Sequence, residues 1–386
     1  MEPILRGPTM KDLFLLDPDI IYLNHGSFGA CPAPVFATYQ RWQLELEREP
    51  VEFLGRRAGE LMADARHALA EYLGCGPNDV VYFPNPTTAI NMVAHSLVLK
   101  PGDEILATDH EYGAMNRTWR FVCGKTGARY IEQPISVPCD SPDQVLEQFW
   151  SGATEHTRVI FISHITSPTA LRFPVKAICE RARQLGILTI VDGAHAPGQI
   201  HLQLDDLGAD LYTGACHKWL CAPKGAAFLY ARPEVQERME PLVVSWGWEP
   251  EEPGPSPFID QQEWQGTRDI AAFLAVPAAI EFQRDHDWEA VRRRCSRLAS
   301  TLQSRLQQDL GLHAMTKSEP LKSSQMFSMQ LPECNPEELQ KSLLERYHIE
   351  IVGRRWSGLG LLRVSIQAYN DENDLETLTS ALGAML

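Results

Sequence analysis

The chain has 386 residues, 44% of them hydrophobic and 22% charged, with a formal net charge of −15. That much apolar sequence fills a large core and suits more than one compact domain, while the acidic balance argues against a nucleic acid as main partner, because phosphate backbones need clustered Lys and Arg. No apolar run reaches the roughly 18 residues of a membrane span, and the opening MEPILRGPTMKDLF has charges and prolines where a signal peptide needs an apolar core, so a cytoplasmic protein is expected.

In chain order, short apolar runs at 80–83, 104–107, 159–163, 187–191, 211–213 and 226–230 read as buried strands. Amphipathic stretches at 87–99, 114–126 and 174–185 lie between several of them. This alternation predicts an α/β fold, a mainly parallel sheet covered by helices on both faces. The stretch 249–257, EPEEPGPSP, reads as a surface loop or lid. Beyond it the pattern changes. A long helical stretch over 271–310 is followed by a strand at 324–330, a helix at 336–347, strands at 349–352 and 360–366, and a final helix. That order predicts a smaller α+β C-terminal domain, with the change falling at 258–270. The nine cysteines, among them Cys31, Cys75, Cys123 and Cys179, lack metal-ligand spacing and read as reduced, mostly buried thiols.

Ligands of an open parallel sheet sit at the carboxyl ends of its strands, so the polar residues following the apolar runs are the candidates. Asp192, in ILTIVDGAHAPG, places a carboxylate at the end of a buried strand. Such a group needs a metal, a cation or a protonated ring nitrogen as compensation, unless it caps the turn that follows. His217 and Lys218, in GACHKWLCAPKG, put an amine in an apolar, Gly-rich setting that disfavours its charge and makes it a better nucleophile; the alternative is a surface lysine. PNPTTAIN opens a helix after a strand, so Thr87 and Thr88 suit either a phosphate at a helix N-terminus or an ordinary N-cap. In ATDHEYGA, His110, Glu111 and Tyr112 end another strand, and a ring there either lies flat on a planar ligand or belongs to a polar loop. A phosphate cradle, a stacking ring, an anion for a ring nitrogen and an amine together meet the needs of pyridoxal 5′-phosphate (PLP).

The motifs YLNHGSFGACP, NPTTAIN, DHEYGA, SHITSPTALRFPV, VDGAHAPGQ, HKWLCAPKG and QGTRD, in this order over nearly the whole chain, resemble the class V aminotransferases. NHGSFG, SHITSPTAL and DGAHAPG bring the sequence nearest the family's isopenicillin N epimerase-like branch. The resemblance implies the PLP type I fold. A large domain over 20–265 would hold a mainly parallel seven-stranded sheet between helices, and 1–19 with 266–386 would form the small domain. It implies that Lys218 carries the cofactor as a Schiff base, that Asp192 pairs with the ring nitrogen, and that His195, where desulfurases have Gln, bonds the phenolate oxygen O3′. Tyr112 would stack on the ring and Ser167 would lie near O3′. Thr87, Thr88 and His217 would bind the phosphate, joined by Gly266 and Thr267 from a second subunit, so a homodimer with shared sites is implied. Arg363 would grip the substrate carboxylate, with Asn24 and His25 on the substrate side. Arg354, Arg355 and Trp356, by residue type, suit an anionic or aromatic side chain of a larger substrate, unless both arginines face solvent. Lys218, Tyr112 and His25 are the candidate catalytic groups.

One departure is visible. Desulfurases place a mobile catalytic Cys on the loop before the strand equivalent to 360–366, and here that stretch reads VGRRWSGLG. The expected function is therefore an epimerase-like reaction at the α-carbon of an amino acid. The alternatives are a carbon–sulfur β-lyase on a cysteine conjugate or cystine, and an aminotransferase. A nucleotide-binding dehydrogenase lacks its G-x-G-x-x-G here, and a cofactor-free relative would not need Lys218 and Asp192.

Overall fold

A computed structural model describes residues 9–386. A two-residue strand, β1 (Ile21–Tyr22), is followed by the strands of a seven-stranded sheet: β2 (Val80–Phe83), β3 (Glu104–Thr108), β4 (Arg129–Gln133), β5 (Thr157–Ser163), β6 (Leu188–Asp192), β7 (Leu211–Ala215) and β8 (Ala227–Ala231). Their spatial order is β2-β8-β7-β6-β5-β3-β4. All pairs are parallel except the two that β8 makes, with β2 and with β7. Five of the seven, β2, β3, β6, β7 and β8, are apolar and buried nearly throughout, because helices cover both faces. Residues 80–83 form a strand as expected, and the other five anticipated runs shift by one or two residues. The strand β4 had no counterpart in the sequence reading. It is the sheet's edge, none of its residues is buried, and RYIEQ therefore has little apolar pattern to read.

Two helices of 16 residues each, Ala33–Arg48 and Ala58–Leu73, also went unassigned. The helices Ala271–Leu274 and Val276–Asp285 pack with them in the core on one face of the sheet. The single long helix expected over 271–310 is thus three. Pro277 restarts the chain in the first turn of the second, and Asp287, with φ at 45°, caps the third, Trp288–Leu310, by accepting from the Ala290 N–H at 3.2 Å.

The C-terminal part holds β9 (His313–Ala314), β10 (Met326–Gln330), β11 (Ile349–Glu350), β12 (Val352–Trp356) and β13 (Leu359–Ser365). Four of them form an antiparallel sheet in the order β12-β13-β10-β9, covered by Trp288–Leu310, Pro336–Tyr347 and Glu372–Gly383 around Leu302, Leu343, Val364 and Leu378. β11 instead pairs with β1, which ties the start of the described chain to this part. On this packing we propose that the two parts divide between Asp285 and Trp288, later than the 265/266 division expected from sequence; residues 1–8 of the expected small domain lie outside the described residues.

The helix Pro257–Glu263, which follows the Pro-rich loop, is tied to the main body by a buried ion pair. Arg66 Nη1 lies 2.6 Å from both carboxylate oxygens of Glu263, and the Arg66 side chain is only 3% exposed. Removing one partner leaves the other charged and desolvated. Arg66→Met is expected to lower stability by about 3–5 kcal/mol, and adding Glu263→Gln should restore part of it. Thermal or urea unfolding of the two variants checks this; equal stability of Arg66→Met and the wild type would show that the pair contributes nothing.

Candidate active site

The parallel strands set the site. The ends of β2, β3, β5, β6 and β7 all face one edge of the sheet, and the residues just beyond them converge on a cavity of about 390 Å³. Asn85 and Thr87 come from the turn after β2, Tyr112 from that after β3, Ser163 and Ser167 from β5 and its loop. Asp192 and His195 follow β6, and His217 and Lys218 follow β7. Ser27 and Phe28, from the four-residue helix His25–Phe28, close the other side.

Lys218 is half-buried at the cavity wall, and desolvation pushes its amine down to about 8, Arg363 adding to the effect while Asp192 opposes it. Its Nζ lies 3.4 Å from His195 Nε2. The Asp192 carboxyl is raised by burial, though the Ala194 N–H at 2.9 Å on Oδ1 and the charge of Lys218 both favour its anion. Among the described residues no donor reaches its other oxygen. Below it Glu111 is buried too, accepting from Ser163 Oγ at 2.5 Å and Thr108 Oγ1 at 2.7 Å, and desolvation raises it to about 7. His217 lines the cavity with Nδ1 3.1 Å from the Ala226 carbonyl oxygen.

The helix Pro86–Ser96 points its N-terminus at the cavity. Its cap is Asn85, whose Oδ1 accepts from the Thr88 N–H at 2.8 Å and the Thr88 hydroxyl at 3.1 Å. Thr87 is therefore the threonine at the cavity wall, and Thr88 is held by the cap. Tyr112 also lines the cavity, 46% exposed, whereas His110 is turned into the core, with its nitrogens 2.7 Å from Thr169 Oγ1 and 2.9 Å from the Ile135 carbonyl oxygen.

Three expected substrate residues stand elsewhere. His25 is fully buried behind Lys218, its Nε2 3.0 Å from the Lys218 carbonyl oxygen and its Nδ1 3.0 Å from Tyr369 Oη. With both nitrogens engaged and burial pressing its pKa to about 3, it supports the lysine backbone and does not line the cavity. Asn24 is likewise buried, bonding Glu350 Oε1 at 2.8 Å and Ser27 Oγ at 2.5 Å. Arg355 is exposed on β12, its backbone N–H bonded to Glu337 on the helix Pro336–Tyr347. Side chains alternate along a strand, so Arg354 shares the opposite face with Trp356, whose indole N–H donates to the Asp109 carbonyl oxygen at 3.0 Å. Arg354 stands near enough to Arg363 to lower its pKa, and among the described residues it has no ion-pair partner.

Arg363 itself is buried, donating to the Ser167 carbonyl and hydroxyl oxygens at 2.8 and 3.1 Å and to Ser27 Oγ at 3.0 Å. Its Nε is buried with no partner. Gly266 and Thr267 do not line the cavity of their own chain; Thr267 is exposed. The sequence reading also missed Lys224, which lines the cavity while its Nζ bonds the Gly29 carbonyl oxygen at 3.1 Å, and Phe28 and Ser27, which stand where Asn24 and His25 were expected. NHGSFG carried the signal, but which of its four side chains turn inward depends on the helix His25–Phe28.

Residues 31–378 match the family described as Aminotransferase class-V. The chain is 37% identical over 381 residues to the isopenicillin N epimerase of Amycolatopsis lactamdurans, covering 95% of each chain. It is 27% identical over 406 residues to a probable chloroplastic L-cysteine desulfhydrase of Arabidopsis thaliana, covering 96% of this chain and 84% of the relative. Among solved structures, a cystine C–S lyase in complex with its product cysteine persulfide superposes with a TM-score of 0.82 at 22% identity, over 95% of this chain and 98% of that one. The donors present suit PLP. The free Asp192 oxygen answers a protonated ring nitrogen, Lys218 supplies an amine, and the N-terminus of Pro86–Ser96 beside Thr87 and His217 answers a phosphate. The strand ends, the half-buried amine and the match over residues 31–378 thus lead to one conclusion: the chain belongs to the aminotransferase class V family, PLP-dependent enzymes of the type I fold.

Proposed function

We propose that this enzyme acts on the α-carbon of an amino acid that carries a large, acidic second half, and that it epimerises that carbon in the manner of the isopenicillin N epimerases it resembles. The observation that carries the reading is the Lys218 amine, half-buried, depressed to about 8 and facing a cavity that no cysteine lines. PLP, when bound, supplies an electron sink that makes an α-proton acidic. Asp192 would keep the ring nitrogen protonated, His195 would contact O3′, Thr87 and His217 would hold the phosphate, and Tyr112 would cover the ring. Arg363 holds the α-carboxylate. Once substrate is in place, Lys218 is free to take the α-proton as general base. Returning a proton to the other face inverts the centre, and Tyr112, whose hydroxyl has no partner among the described residues, is the group we assign to that face. Gly266 and Thr267, away from their own cavity, are assigned to the phosphate of a second copy, so each site of a homodimer would be shared.

A carbon–sulfur β-lyase is the second reading, favoured by the relatedness to an L-cysteine desulfhydrase. A persulfide on a protein thiol would need a cysteine at the cavity. Seven of the nine are buried, and the two others, Cys75 and Cys334, do not line it.

Borohydride reduction of the holoenzyme is expected to fix the pyridoxyl group on Lys218 and leave Lys224, the cavity's other lysine, unmodified. Peptide mapping decides, and a pyridoxyl group on Lys224 would exchange the two assignments. Arg363→Ala should weaken substrate binding by about 2–5 kcal/mol with PLP retained; equal loss of PLP would make Arg363 a cofactor or folding residue. Arg354→Ala should raise KM about tenfold only for substrates with a second acidic group, and an equal rise for neutral amino acids would sink its role. The reaction itself is read by incubating a panel of amino acids and conjugates in heavy water. The expected result is deuterium at the α-carbon with both configurations formed and the rest of the molecule intact. Pyruvate with sulfide or thiol would establish the lyase, and a keto acid the aminotransferase.

A further inference from the structure

His195 and Trp219 form a pair whose chemistry has only one solution. The Trp219 indole N–H, which can only donate, points at His195 Nδ1 across 3.2 Å. Nδ1 must therefore hold a lone pair. The imidazole is buried and its charged form is strongly disfavoured, by burial first and by Lys218 and Arg363 next. A neutral ring with a bare Nδ1 carries its proton on Nε2, the nitrogen 3.4 Å from Lys218 Nζ at the cavity.

The indole is not free to turn away. It is fully buried among Ile165, Ala170 and Met326, with the His25 ring tilted against it at 4.9 Å. Its backbone is fixed as well, since the Trp219 carbonyl oxygen accepts from Gln283 Nε2 at 2.9 Å. The His195 carbonyl oxygen accepts from Gln199 Nε2 at 2.9 Å, which holds the imidazole from its other end.

We propose that Trp219 is a positioning residue that locks His195 as its Nε2–H tautomer, so that the ring always offers the cavity a donor and never an acceptor. This rests on the assignment of His195 to the O3′ oxygen of PLP. A donor there stabilises an anionic oxygen. Toward Lys218 it acts in the same sense, because an N–H facing the amine is satisfied by the neutral lone pair and opposed by an ammonium. The opposite tautomer would face the phenolate with a lone pair and favour a charged lysine, the unreactive form on both counts.

Neutron diffraction from deuterated crystals of the holoenzyme reads the tautomer directly and needs no variant. A deuteron on Nε2 and none on Nδ1 is expected; a deuteron on Nδ1 overturns the proposal, whether or not His195 touches O3′. Trp219→Phe keeps most of the ring and removes the donor, and should weaken PLP binding to the apoprotein about tenfold. A Gln amide offers an N–H whatever its neighbour, so in a His195→Gln background the same substitution should change affinity by less than about twofold. Equal losses in the two backgrounds would mean that Trp219 acts through packing alone and would also overturn the proposal. If His195→Gln by itself leaves PLP affinity unchanged while the deuteron sits on Nε2, the O3′ assignment fails and the tautomer lock stands.

Discussion

A partly desolvated amine is the constraint on which the rest of this structure depends. Lys218 stands three residues beyond the end of β7, and the chain must wrap it closely enough to depress its charge without pairing it so tightly that it stays an ammonium. Two glycines make the close approach possible. A Cβ on Gly29 would sit 2.0 Å from the His217 carbonyl oxygen, and one on Gly198 would sit 2.0 Å from that of Trp219, both at positive φ. The segments on either side of Lys218 are thus pressed against the loop after the helix His25–Phe28 and against the turn after β6. His25 completes the enclosure by bonding the lysine's own carbonyl. Asp192 is the one carboxylate that supports its charge, and it is the group the cofactor's ring nitrogen would engage.

The strand ends were legible because burial at the centre of a parallel sheet leaves an apolar run that stops abruptly at a polar residue. Asp192 and Lys218 stood out in this way from the sequence, although a turn cap and a surface lysine stayed open as readings until the cavity brought the two together. What escaped reading had the opposite character. The edge strand β4 is half solvated, and the helices Ala33–Arg48 and Ala58–Leu73 are amphipathic stretches with no chemistry-bearing motif to draw attention to them. Within a motif, the direction of each side chain was the hidden variable. NHGSFG contains two polar residues that look like ligands and two neighbours that line the cavity. A four-residue helix turns Ser27 and Phe28 toward the cavity and Asn24 and His25 into the interior. In the same way the pleat of β12, paired Val352 to Arg363 and Arg354 to Leu361, sends Arg354 and the exposed Arg355 to opposite faces.

The family resemblance carried residue roles further than patterning could. Positions at the strand ends are fixed by the sheet, whereas positions on the smaller part depend on its own packing. Gly266 and Thr267 are a third kind: a single chain shows only that they stand away from their own cavity, which is the arrangement a donated segment requires.

The overall charge and the local charge pull in opposite directions, and the local one governs the site. The chain as a whole is at −15, yet the cavity is lined by Lys218 and Lys224, and Arg363 bonds the lining residues Ser27 and Ser167. Surface carboxylates more than about 8–10 Å away are screened by salt, whereas charges facing a desolvated cavity are not. An acidic protein can therefore hold an anionic cofactor and an anionic substrate at once. The arrangement has a cost, because Arg363 depresses the charge of Lys218 and Arg354 depresses that of Arg363. Repulsion among these cations is relieved when anions enter, so the site suits phosphate and carboxylate groups together. The buried, unpaired Nε of Arg363 is the same statement made in hydrogen bonds: the guanidinium keeps donor capacity that the chain itself does not satisfy.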